Sequence, residues 1–249
     1  MGKSKSRVSR NASYVLHVFT ASGAVVGLLA LQAVIDGRVR DALLWLVVAL
    51  LLDGLDGPIA RKLDVVFHAP RLDGTMLDLV VDYVTYVVVP VVFLWNLELL
   101  PKNLEFIVGA GILLFSAIWF ARIDQKTDDK WFNGFPAVWN LVVHTFILLG
   151  SSQVEVAVFS IILLVLQMTS IKIIHPVRVK ALRTITVIFT VYYFVTIAYL
   201  SWFYPELSGE NIPLFGKIAL LGFPIFVALL AIWRTWFSNA RLPILGKIV

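Results

Sequence analysis

The sequence predicts an all-α integral membrane protein, a bundle of about eight transmembrane helices with both termini cytoplasmic. Three observations point there. Of 249 residues, 59% are hydrophobic and only 15% charged, whereas a soluble domain is nearer half apolar and a quarter charged. Apolar stretches of about the 20 residues needed to cross a bilayer recur along the whole chain. The basic residues, finally, fall between those stretches on alternate sides.

The first stretch, 14–35, follows Lys3, Lys5, Arg7 and Arg10. It is longer than the apolar core of a cleavable signal and is followed by further spans, so it reads as the first helix. The second, 41–61, runs into Arg61 and Lys62, and the third, 72–95, begins after Arg71. The fourth, 104–122, ends on Arg122 and is followed by Lys126 and Lys130. The fifth and sixth, 134–151 and 154–174, form a close pair, after which come Arg178, Lys180 and Arg183. The last two, 184–204 and 214–237, lead to Arg234, Arg241 and Lys247. Of the 21 basic residues only Arg38, Arg40, Lys102 and Lys217 lie on the side opposite the termini, which fits the positive-inside rule. Helices are the economical reading because irregular backbone cannot face lipid, and the ten-residue alternation of barrel strands is absent.

No repeat or low-complexity tract divides the chain, so residues 1–249 are expected to form one transmembrane domain. The net charge of +5 answers, by its placement, to the membrane and not to nucleic acid. With no cysteine there is no disulfide framework, and any metal must be held by oxygen or imidazole.

Ionisable residues inside a span are costly and mark function by default. The second stretch carries Asp53 and Asp56 at i, i+3, and the third carries Asp78 and Asp82 at i, i+4; each pair shares one helix face. At 1.5 Å per residue, Asp53 and Asp56 lie roughly 12 and 8 Å from the Arg61 end, and Asp78 and Asp82 roughly 9 and 15 Å from Leu72. Four carboxylates at matched depth repel unless cations neutralise them, and hard oxygen ligands select Mg²⁺ or Mn²⁺. Gly54, Gly57 and Gly74 leave helix surface bare, and Pro58 blocks one helical hydrogen bond. A nucleotide fits such an opening, its diphosphate bridged by metal and paired with Arg61.

These residues resemble the CDP-alcohol phosphotransferase family, whose motif runs D-x-x-D-G-x-x-A-R, a spacer, then G-x-x-x-D-x-x-x-D. Asp53, Asp56, Gly57, Ala60, Arg61, Gly74, Asp78 and Asp82 fill every fixed position. The departure is the spacer, residues 62–73, which is longer than in most of the family. Spacer, helix number and length are similar to the branch that joins choline to CDP-diacylglycerol. The resemblance implies that Asp53, Asp56, Asp78 and Asp82 bind two divalent ions, Mn²⁺ or Mg²⁺, with Asp82 also the general base. Gly57, Ala60, Arg61 and Gly74 would line the CDP site. It further implies a bacterial inner-membrane enzyme of phospholipid synthesis that gives phosphatidylcholine and CMP, active at the cytoplasmic face. Dimers are usual in the family.

Other residues carry two readings each. Thr20, with His17, either contacts the nucleotide or packs helices together with Ser22 and Gly23. Arg122 and Lys126 either meet lipid headgroups or bind the donor's phosphate. Trp139 with Asn140, and Tyr83 or Tyr86 beside Asp82, are the aromatic candidates for a quaternary ammonium, against the ordinary interfacial belt. Asp64 and Asp73 read as solvated loop residues, and His144 and His175 as packing residues. All five glutamates, Glu98, Glu105, Glu155, Glu206 and Glu210, fall on the far side. None would then meet an acceptor's ammonium, which favours choline over serine or ethanolamine, whose N–H donors need acceptors. The alternatives are a serine, glycerol phosphate or inositol phosphate acceptor, or a divalent-cation transporter, which would place its acids near the midplane.

Overall fold

A computed structural model describes residues 2–204 and 212–237, with side chains except at 2–9 and 66. Glu206, Glu210, Arg241 and Lys247 lie outside the described residues, as do the side chains of Lys3, Lys5 and Arg7. The fold is an all-α membrane bundle. Helix α1 (Gly2–Ile35) packs along α2 (Val39–Lys62), a short α3 (Val65–His68) turns the chain, and α4 (Gly74–Tyr83) continues through a π-helical turn (Val84–Val88) into α5 (Val89–Asn96). Then come α6 (Lys102–Ala121), α7 (Trp139–Leu149), α8 (Gln153–Gln167), α9 (Arg183–Phe203) and α10 (Leu214–Trp236). Among the described residues six helical stretches are long and apolar enough to span a bilayer, while α7 and α8 are shorter.

Each of the eight stretches read from the sequence contains helix, but the fifth and sixth overran. Residues 134–138 and 168–174 are apolar without being helical. Just before the first of these, β1 (Phe132–Asn133) pairs antiparallel with β2 (Lys172–Ile173) in the second, a strap joining the segment after α6 to the segment after α8. Gly134 turns there at φ +79°, and a Cβ on it would lie 2.5 Å from the Gln167 carbonyl oxygen, so only glycine is accommodated. The strap's backbone finds partners around it: Gly134 N–H donates to the Ile171 carbonyl at 2.8 Å, Phe135 N–H to the Leu166 carbonyl of α8 at 3.2 Å, and Lys172 N–H to Thr235 Oγ1 of α10 at 2.9 Å. The other end of the α7–α8 pair is fixed by Gly150 (φ +64°) and by a reciprocal cap between Ser152 and Glu155. There Gln153 Nε2 donates to the Glu98 carbonyl at 2.9 Å.

The π turn has a local cause. Pro90 offers no N–H to the carbonyl of Tyr86, and its ring would crowd that carbonyl in an α-helix; the turn widens, and Val89 N–H reaches back to the Val84 carbonyl. The core of the bundle is apolar and continuous, centred on Leu43, Leu46, Val87, Phe93, Ile112, Trp139, Ile147 and Ile197. Where α1 crosses α4, a Cβ on Gly23 would lie 2.7 Å from Val81 Cγ1, so this glycine sets how closely the two helices approach.

Candidate active site

Helices α1, α2 and α4 meet around the four motif aspartates. Asp53 from α2 and Asp78 and Asp82 from α4 each present an oxygen, and these three atoms lie within 4.8 Å of one another. The i, i+4 spacing aims the α4 pair at α2, and α4 begins firmly because Asp73 caps it, its Oδ1 accepting from Thr75 N–H at 2.9 Å and Met76 N–H at 3.1 Å. Asp73 is therefore a structural cap as well as a loop residue. Asp56 is buried and turned differently, accepting from Thr20 Oγ1 at 2.8 Å. All four aspartates nevertheless line one small gap of about 10 Å³, with Thr20 and Gly23 on its wall.

The donor set fits a hard divalent cation. Three carboxylate oxygens at this separation, with no nitrogen or sulfur ligand in the cluster among the described residues, match the oxygen-only preference of Mg²⁺ and Mn²⁺.

Beside the aspartates lies a cavity of about 1330 Å³. Thr20, Gly57, Ala60, Arg61 and Gly74 all line it, together with Asp56 and Asp78. The glycines matter sterically. A Cβ on Gly57 would sit 3.3 Å from Arg61 Nη1, and one on Gly74 would sit 3.0 Å from His17 Cε1. Of the sequence's two readings for the first helix, Thr20 joins the site and Gly23 does the packing, while Ser22 Oγ donates to its own helix at the Phe19 carbonyl, 2.6 Å away.

The sequence reading missed Arg178. This arginine stands in the segment between β2 and α9, yet its side chain lines the same cavity, and it interacts electrostatically with Asp78 and Lys126. Its separation in sequence from the motif hid it; its placement in the basic set of that membrane side was the only signal. Lys126 is half-buried, with Nζ 5.2 Å from the centre of the Phe132 ring. Burial and Arg178 lower its pKa, against the pull of Asp78, Asp82 and Asp53. His175 stacks on Phe132 with ring centres 5.0 Å apart. Burial, Arg178 and Lys126 push its pKa down to about 3, so it is neutral near pH 7 and adds no charge to this basic wall.

Arg122 is engaged elsewhere. Its Nε and Nη2 each meet Asp124 at 2.8 Å, which holds the Asp124 carboxyl below its ordinary value. The aromatic candidates separate likewise. Trp139 is fully buried, its Nε1 donating to Ser116 Oγ at 3.0 Å, and Asn140 is buried beside it; neither lines the cavity. Tyr83 donates to the Leu113 carbonyl at 2.9 Å. Tyr86 donates to Asp53 Oδ2 at 2.5 Å.

No protein-family model matches the chain. Its sequence is similar to a phosphatidylcholine synthase of Borreliella burgdorferi, 34% identical over 92% of this chain and 97% of the relative. It is also similar to that of Pseudomonas aeruginosa, 37% identical over 75% and 79%, and to that of Rhizobium meliloti, 40% identical over 69% and 71%.

Proposed function

Because this chain belongs to the phosphatidylcholine synthase family, we propose that it transfers the phosphatidyl group of CDP-diacylglycerol to choline, giving phosphatidylcholine and CMP. It is a multi-pass membrane transferase of phospholipid synthesis. The observation that carries the reaction is the junction of a three-carboxylate cluster with a large cavity walled by glycines and arginines. Asp53, Asp78 and Asp82, with Asp56 alongside, would hold Mg²⁺ or Mn²⁺. Bound there, the metal supplies charge neutralisation for the diphosphate.

The chain's own residues do the rest. Arg61 and Arg178 face the cavity from opposite elements and pair with phosphate oxygens. Gly57, Ala60 and Gly74 leave room for the cytidine, and Thr20 fixes Asp56. Asp82 takes the proton of the choline hydroxyl as its oxygen bonds to the phosphatidyl phosphorus; the bond from that phosphorus to CMP breaks, and CMP leaves with the electron pair. The charge placement of the loops supports an inner-membrane protein with this end, and both termini, in the cytoplasm.

The decisive assay is CMP release by purified protein given CDP-diacylglycerol, Mn²⁺ or Mg²⁺, and a panel of alcohols. Choline is expected to be the fastest acceptor. Faster release with serine, glycerol phosphate or inositol phosphate would overturn the acceptor and leave the transferase chemistry standing. A second expected outcome concerns the donor: Arg178→Ala raises the KM for CDP-diacylglycerol about tenfold or more, the scale of a lost charge-assisted hydrogen bond of about 1.5–3 kcal/mol. The KM for choline stays near that of the parent. An unchanged donor KM would remove Arg178 from the phosphate site.

A further inference from the structure

We propose that Tyr86 is a positioning residue of the carboxylate centre, holding Asp53 by one oxygen so that the other stays turned toward a divalent cation. The role rests on the metal reading given above. Tyr86 lies three elements on from Asp53 in the chain, yet its phenol donates to Asp53 Oδ2 at 2.5 Å. Its ring is buried in the bundle core, so the hydroxyl is delivered by a rigid body with little freedom to swing.

The helix is built to make this contact. Tyr86 follows Asp82 at i+4 as Asp82 follows Asp78, but four residues of α-helix overshoot one turn by about 40°. Repeated twice, that drift would carry the phenol away from the face that the two aspartates share. The π turn over Val84–Val88 fits more residues into a turn and takes the drift back. Pro90, by removing the donor that would bond the Tyr86 carbonyl, is what opens the turn. Sequence, helix distortion and carboxylate orientation therefore form one chain of cause. Ligating carboxylates commonly depend on such hydrogen-bonded partners.

Tyr86 also answers a second need. Asp53 accepts this bond from a phenol held in the buried core, so its rotamer is set before any ion arrives. A cation then meets an oriented oxygen and not a side chain that must first be ordered.

The test is Tyr86→Phe in the full-length protein in detergent, with Mn²⁺ binding titrated by calorimetry and thermal unfolding followed in chelator. Apparent Mn²⁺ affinity is expected to fall about 10–100-fold. The KM for choline, taken at saturating Mn²⁺, stays near the parent's. In an Asp53→Asn background, adding Tyr86→Phe is expected to change Mn²⁺ affinity no further, because the group it positions is already gone. Unchanged Mn²⁺ affinity with a lower Tm would reduce Tyr86 to a packing residue and overturn the proposal. A raised choline KM at unchanged Mn²⁺ affinity would make it an acceptor contact instead and overturn it equally. A parent that binds no Mn²⁺ would overturn the metal reading itself, a failure distinct from either.

Discussion

Asp82→Asn is expected to lower turnover by about 10²–10⁴-fold, the range that a positioned general base contributes. Asparagine matches aspartate in size and keeps a hydrogen-bonding head, so α4 should pack as before, and Val81 should still meet Gly23. What is lost is the capacity to take a proton, together with one negative charge of the cluster, while the amide oxygen can still face a cation. Asp53 and Asp78 stay in place within the cluster, and the cavity walls that face the donor are untouched. CDP-diacylglycerol binding, read by calorimetry, should therefore remain within a few-fold of the parent. Turnover equal to the parent's would remove Asp82 as the base. Donor binding lost in parallel with turnover would assign it to holding metal alone.

Chelation should have an effect as large. Two unit charges at 4.8 Å, the outer limit of the separations in the cluster, repel by about 3.5 kcal/mol at an effective dielectric of about 20, and three carboxylates make three such pairs. Without a divalent ion nothing offsets this repulsion, and the positive charge that would organise a diphosphate is gone. EDTA is thus expected to abolish CMP release, and Mn²⁺ or Mg²⁺ added in excess to restore it. Full activity in chelator would contradict the metal reading of these residues.

Much of this molecule is written in its hydropathy. The helices were legible because lipid demands long apolar runs, and the motif aspartates because i, i+3 and i, i+4 spacings dictate a shared face. Hydropathy could not tell apolar helix from apolar loop, so Phe135 and Ile174, buried in the segments on either side of α7 and α8, were read as helical. Nor could spacing reveal that Asp56 turns to Thr20 while its three neighbours converge, since that depends on how α1 and α2 are rotated against each other. Trp139 offered an aromatic face on paper; its burial against Phe135, with its N–H on Ser116, follows from tertiary packing that no local pattern encodes. Tyr86 had one readable clue, Pro90 four residues on, whose consequence is visible only once the helix widens. Arg178 had none beyond its charge.

The brevity of α7 reaches beyond packing. Eleven residues of helix measure about 16 Å, roughly half of a hydrocarbon core of about 30 Å. Its far end is flush with the bundle, since Gln153 is tied to Glu98, so the whole shortfall opens on the side of the strap. Non-helical backbone at that depth persists only where protein or water surrounds it. Protein is what surrounds it here: Trp131, Phe135 and Ile174 of the strap segments are all buried, so the strap completes with packed loop the depth that α7 leaves unspanned.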